Sequence, residues 1–177
     1  MRTSERMDGM TLSFRLVTTE QDIKAVARLA AEIWREHYIN IISAEQIEYM
    51  LDKFQSAPAI ADQIRHQGYA YYLMQVNGSD AGYLAVKPEE SKLFLSKFYL
   101  LRSYRGRGYG SRAIRFLEEL CRERGLKAIW LTVNRHNTSS IAVYEHTGFR
   151  TVRTQVADIG GGYVMDDYVM EKEVSPA

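Results

Sequence analysis

A chain of 177 residues is long enough to bury a substantial core and falls within the usual size of one domain. Its 46% hydrophobic and 25% charged content is that of an ordinary soluble globular protein, and 23 Lys plus Arg against 22 Asp plus Glu leave no bulk charge for nucleic acid or a membrane surface. The single cysteine, Cys121, excludes an intrachain disulfide and any multi-cysteine metal site, and no apolar run approaches the ~18 residues of a membrane span.

Residues 1–10 are polar, lack the apolar stretch of a signal peptide, and are expected to form a disordered leader; a cytoplasmic setting is the default. Leu12 to Val17 alternates apolar and polar residues, the period of a strand. Thr19 can cap a helix whose apolar face is Ile23, Val26, Ala27, Ala30, Ile33 and Trp34. Ser43-Ala-Glu-Gln46 reads as a capping box opening a second helix through Ile47, Met50, Leu51 and Phe54. A short helical piece with Ile60 and Ile64 follows Pro58. The period then changes. Tyr69 to Val76 is rich in aromatic and β-branched residues, Asn77-Gly78 signals a hairpin turn, and Ala81 to Val86 is the return strand.

Leu93 to Leu101 makes a further strand, and Arg105-Gly-Arg-Gly-Tyr-Gly110 opens a helix with Ala113, Ile114, Leu117, Leu120 and Cys121 on one face. Cys121 is therefore expected to be a buried core thiol. Gly125 closes that helix. Ala128 to Val133 is a near-continuous apolar strand, as expected where a sheet is covered on both faces. Asn137 or Thr138 caps a short helix ending at Gly148, and strands near 149–156 and 163–171 finish the chain. This order predicts a mixed α/β sheet in one domain over 11–174.

The segment that carries chemistry is the strand, the short glycine-rich turn and the helix after it. Glycines bring backbone N–H groups close to a ligand without a Cβ in the way. A helix start adds unpaired donors and partial positive charge, and Arg105 and Arg107 add charge-assisted donors, so the turn reads as a pyrophosphate cradle. A P-loop would need Gly-Lys followed by Ser or Thr, which is absent. The dinucleotide fingerprint fails at its third glycine, where Ser111 stands.

Arg105-x-x-Gly108-x-Gly110, preceded by a strand ending near Leu100, resembles the acetyl-CoA-binding motif of the GNAT superfamily of N-acetyltransferases. Asn137, Ala142, Tyr144 and Gly148-Phe149 are similar to a downstream region of the same family. The resemblance spans about residues 12 to 172, the first half in element order only. It implies a GNAT fold with a splayed central sheet and an enzyme that moves an acetyl group from acetyl-CoA to an amine, with no metal. Backbone groups of Phe98, Tyr99 and Leu100 would pair with the pantetheine arm. The amides of Arg105, Gly106, Arg107, Gly108, Tyr109 and Gly110 would hold the pyrophosphate, with Ser111 assisting. Asn137 would bond the pantetheine or merely cap its helix. Tyr144 would lie near the thioester sulfur.

The chemistry requires an amine of pKa near ~10.4 to lose a proton and a leaving thiolate to gain one. Tyr144 is the candidate acid, and a backbone N–H of the strand at 93–101 the candidate oxyanion donor. Relatives often carry a glutamate near the position of Ser96, but here the strand reads Leu95-Ser96-Lys97-Phe98-Tyr99. Glu32, Glu36, His37 and the Asp166-Asp167 pair are alternative sources of a base, although Asp166-Asp167 reads first as a solvated hairpin turn. His37 and Tyr38 beside Trp34, and Tyr69, Tyr71, Tyr72 and Tyr83, read as packing that could also line an acceptor groove. The faint likeness of the chain's ending to small polyamine-type acetyltransferases favours a small cationic amine, with protein N-termini or lysines as rivals. A silent acyl-CoA sensor is the alternative outside enzymology. The family's habit of dimerising points to a homodimer, and neither nucleic acid nor a membrane is expected as a partner.

Overall fold

The computed structural model describes the backbone of residues 2–7 and 10–176 and the side chains of residues 11–176. One mixed sheet has the strand order β1-β2-β3-β4-β5-β6-β8-β7, comprising β1 (Arg2–Met7), β2 (Met10–Leu16), β3 (Ala70–Val76), β4 (Ser79–Glu89), β5 (Lys92–Leu100), β6 (Ala128–Asn134), β7 (Arg150–Gly160) and β8 (Tyr163–Glu173). The helices are α1 (Glu20–His37), α2 (Ala44–Gln55), α3 (Ala57–His66), α4 (Tyr109–Arg124) and α5 (Thr138–His146). The chain forms two compact units and alternates between them: residues 1–87 and 97–107 make the first, 88–96 and 108–177 the second.

In the first unit, β2, β3 and β4 pair antiparallel in sequence. Asn77 and Gly78 both take positive φ, 51° and 83°, giving the two-residue turn whose twist matches the flanking strands. The turn is tied to β2, because Asn77 Oδ1 accepts from the Thr11 amide at 2.9 Å. The leader expected over residues 1–10 lies partly outside the described residues; of the rest, Arg2–Met7 form a strand pairing antiparallel with β2. The side chains of Thr19, Ser43 and Ser56 cap α1, α2 and α3 by accepting from the third residue onward, each replacing a missing intrahelical partner. Val26, Ala30, Ile33 and Trp34 of α1, Ile47 of α2 and Ile60 of α3 are at most 2% exposed, as are Phe14, Leu73 and Leu84 from the strands. Burying each large apolar side chain contributes about 1.5–3 kcal/mol.

In the second unit, β5 pairs parallel with β6 in the register Lys92↔Ala128, Leu93↔Ile129 and Phe94↔Trp130. β8 lies antiparallel between β6 and β7. α4 ends at Gly125, whose left-handed φ of 68° lets its N–H and that of Leu126 return to the last carbonyls. Ala113, Ile114, Leu117, Leu120 and Cys121 of α4 are buried, and α4 packs against β6. Burial pushes the Cys121 thiol up to about 11, so it is an inert core group as expected.

Alternation gives the β5-β6-β8 sheet two different faces. Leu93, Leu95, Ile129, Leu131, Val133 and Met170 are buried on one face. The other carries Phe94 stacked on Trp130 (centroids 4.3 Å apart), Lys92 paired with Glu171 at 2.7 Å, and, continuing the same registers, Ser96, Thr132 and the opposed pair Asn134–Asp167.

Candidate active site

The predicted cradle has the backbone it needs. Gly106 and Gly108 adopt left-handed φ of 73° and 84°, which side chains at those positions would resist. Gly108 is the N-cap of α4 and supplies no side chain to its first turn. The opening N–H groups of α4 are thus served by no cap of the kind that closes α1, α2 and α3, which suits an anion there. A Cβ placed on Gly106 would meet nothing within 4 Å, so the loop is open on that side. The donor set fits a pyrophosphate. Arg105 has a structural part besides the one expected. Its Nε donates to the Leu100 carbonyl at 3.0 Å, so the side chain braces the end of β5 as well as bringing charge. Arg107 is exposed, Tyr109 is buried and Ser111 occupies the first turn of α4.

Phe98, Tyr99 and Leu100 form the last part of β5 and are half-buried. Their approach to β4 is set by one residue: a Cβ at Gly82 would lie 2.1 Å from the Tyr99 carbonyl oxygen and 3.0 Å from Leu100 Cα. The Leu101 amide then donates to Ala81 O at 2.8 Å. Beside this segment stands an aromatic wall. Trp34 lies 5.7 Å from Tyr38 and 5.5 Å from Tyr99 between ring centroids, and the Tyr38 and Tyr99 hydroxyls share a 2.8 Å hydrogen bond. His37 lies edge-on to Tyr38 at 4.9 Å, and Glu36 pairs with Arg102 at 3.2 Å.

Behind the wall is a polar relay, where the sequence predicts sheet packing that could also line an acceptor groove. Trp34 Nε1 donates to the Tyr83 hydroxyl (3.1 Å), which donates to Gln55 Oε1 (2.6 Å). Gln55 Nε2 donates to the Tyr71 hydroxyl (2.9 Å), which donates to Gln63 Oε1 (2.5 Å), and Gln63 Nε2 ends on Phe54 O (2.8 Å). Every donor has an acceptor in one consistent direction, as buried polar groups require. Burial raises Tyr71 and Tyr83 above the ordinary phenol range, so both stay neutral. Tyr69 lies instead under Lys87, whose ammonium sits 5.3 Å from the ring centroid, and Tyr72 is buried.

In the second unit Asn137 is 3% exposed and does cap α5: its Oδ1 accepts from the Ser140 amide at 3.3 Å. Tyr144 is 9% exposed and packs edge-on against Phe149, with centroids 5.6 Å apart. The expected strand carboxylate is absent at Ser96, and Lys97 beside it is half-buried, its ammonium pulled down to about 8 by desolvation.

The Asp166-Asp167 pair is not a solvated turn. The turn falls at residues 161–162, between Gly160 and Tyr163, where Gly160, Gly161 and Gly162 all have positive φ, and the two aspartates stand inside β8. Three successive glycines, the stronger hairpin signal, could have located it from sequence. Asp166 pairs with Arg135 at 2.8 Å on one face. Asp167 points to the other, is only 4% exposed, and its Oδ1 has no hydrogen-bond partner among the described residues. Burial, and then Asp166, pushes its carboxyl up to about 6. Among the described residues no group of three or more His, Cys, Asp or Glu is arranged to hold a metal ion, and no helix is long and apolar enough to cross a membrane.

A strand, a glycine turn and a helix start without a side-chain cap follow one another here, an arrangement suited to an anionic ligand. The model of the acetyltransferase (GNAT) family matches residues 26–149, and the chain belongs to that family, whose members draw their acetyl group from acetyl-CoA. It is 25% identical over 168 residues to the spermidine N(1)-acetyltransferase of Thermoplasma acidophilum, covering 93% of this chain and 98% of that one. Its fold matches the crystal structure of PaiA N-acetyltransferase from T. acidophilum in complex with coenzyme A, with a TM-score of 0.76 at 23% identity over 92% of this chain and 98% of that one. It also matches the ribosomal-protein-S18-alanine N-acetyltransferase of Escherichia coli, with a TM-score of 0.68 at 18% identity over 94% and 96% of the two chains.

Proposed function

We propose that this protein acetylates a primary amine of a small, cationic, polyamine-like acceptor, by direct transfer from acetyl-CoA. The observation that carries the acceptor class is the likeness to a spermidine N(1)-acetyltransferase over nearly the full length of both chains. The backbone of Phe98, Tyr99 and Leu100 takes the pantetheine arm by adding it to a strand edge. The amides of 105–110 and Ser111 hold the pyrophosphate at the start of α4. Asn137, already spent on its helix cap, fixes the entry of α5 and so the placing of Tyr144. The amine attacks the thioester carbonyl, the C–S bond breaks, and the Tyr144 hydroxyl gives its proton to the sulfur. Cys121 takes no part, because a thiol held up to about 11 is not an acyl carrier at neutral pH.

The test is coenzyme A thiol release from acetyl-CoA across polyamines, aminoglycosides, amino acids and short peptides, for wild type and Tyr144→Phe. Turnover should be confined to the polyamines and diamines, and Tyr144→Phe should lower kcat by about 10²-fold or more at unchanged acetyl-CoA affinity. Turnover with peptides alone would refute the acceptor class. An undiminished Tyr144→Phe would refute the acid.

A further inference from the structure

The half-exposed face of the β5-β6-β8 sheet holds a carboxylate that none of the motifs accounts for. Ser96 stands on that face by alternation from Phe94, whose ring stacks on Trp130. Asn134 and Asp167 stand there too, because they are cross-strand partners in the same register as Trp130 and Glu171. The sheet therefore lacks a carboxylate at Ser96 but carries one on the same face, two strands away across β6.

The partners Asp167 does not have are informative. Asn134, opposite it on β6, uses its Oδ1 to accept from the His136 amide at 2.9 Å. Gln155, opposite it on β7, uses its Oε1 to accept from Arg153 at 3.1 Å. Arg135 is drawn to Asp166 on the other face. Among the described residues no cation pairs with Asp167, and its Oδ1 is sealed and unpartnered, although burying a charged oxygen without a partner is costly. What little surface it keeps lies outside Oδ1. A charge kept at that cost in a sheet is best explained by a cationic ligand that reaches the carboxylate through the surface outside Oδ1. A primary ammonium is such a ligand, with three N–H groups and a positive charge.

We propose that Asp167 is the catalytic carboxylate that binds the acceptor ammonium and takes its proton. This rests on the small-amine reading above and supplies the base that the strand at Ser96 lacks. The ammonium gives one proton to the Asp167 carboxylate, and the freed lone pair forms the N–C bond at the thioester carbonyl. The C–S bond breaks, and the sulfur takes the Tyr144 proton. Tyr144 is restored by the second proton of the amine nitrogen, and Asp167 returns the first to water. Asp166 on its own strand is the charged group that shifts it; Arg135, just past the end of β6, pairs with Asp166, and Arg153 of β7 donates to Gln155. Burial and Asp166 prevail, holding it near 6, where a base is mostly ionised at neutral pH yet strong enough to act.

The experiment compares wild type, Asp167→Asn and Asp167→Glu with spermidine, by thiol release as a function of pH and by thermal melting. Asp167→Asn should lower kcat/KM by about 10²–10⁴-fold and abolish the acidic limb near pH 6, and Asp167→Glu should recover part of the rate. Melting separates this from misfolding. The carboxyl is raised from 3.8 to about 6, so in wild type the buried group removes stability as pH rises through that window. Asp167→Asn carries no such charge, and above pH 6 it should melt at or above the wild-type temperature. A stable Asp167→Asn with wild-type turnover and an intact acidic limb would overturn the proposal while leaving the acceptor reading standing. A wild type silent toward spermidine and every other small cationic amine would overturn the acceptor reading itself, and this role for Asp167 with it.

Discussion

Replacing Tyr83 by Phe removes one oxygen and breaks the relay behind the aromatic wall. The hydroxyl is the acceptor for Trp34 Nε1 at 3.1 Å and the donor to Gln55 Oε1 at 2.6 Å, in a residue with 0% exposure. The variant leaves a buried donor and a buried acceptor unsatisfied, each worth about 1–3 kcal/mol, while the ring keeps its packing and sheds the burial cost of its own hydroxyl. The net loss should be about 2–4 kcal/mol. In a chain of this size that lowers Tm by about 5–15 °C, since each kcal/mol shifts it by about 2–4 °C. Urea unfolding of Tyr83→Phe, Trp34→Phe and the double variant measures the loss and the coupling. The double variant should lose less than the sum of the singles, because with both partners gone no indole N–H is stranded. A loss under about 0.5 kcal/mol for Tyr83→Phe, or strict additivity, would refute the view that this network is closed and fully satisfied.

Two glycine substitutions test how the backbone around the cofactor segment is held. Gly82→Ala puts a Cβ 2.1 Å from Tyr99 O, so β4 and β5 must part and the 2.8 Å bond from Leu101 N to Ala81 O should be lost. The expected result is destabilisation by about 1–3 kcal/mol in melting and a raised KM for acetyl-CoA, since Phe98–Leu100 shift with it. Gly108→Ala forces a side chain into a left-handed φ of 84° at the start of α4. It should cost about 1 kcal/mol of stability and raise the acetyl-CoA KM further than the acceptor KM, as read from two-substrate kinetics.

The features legible in the sequence were those decided within a few residues of the chain. Ser43 caps α2 because an oxygen three residues before an amide can reach it, and Asn77-Gly78 turns because those residues tolerate positive φ. The glycine loop is of the same kind: its φ angles and the capless start of α4 are properties of residues 105–111 alone. Periodicity likewise placed the helices and most strands, because an apolar stripe has one stable use.

Tertiary structure decided whatever depends on partners distant along the chain. Tyr71 and Tyr83 read as sheet packing, and only the seating of α2 and α3 over β3 and β4 brings Gln55 and Gln63 to their hydroxyls. Gly82 looks like any glycine in a strand until β5 passes close enough to forbid a Cβ. Asp166 and Asp167 are neighbours of identical type, yet one finds Arg135 and the other finds no cation among the described residues. Successive residues of a strand point to opposite faces, and the register with β6 determines what each face offers. Composition fixes that a carboxylate is present; desolvation, which follows from the neighbours the fold supplies, fixes whether it behaves as a surface charge or as a base.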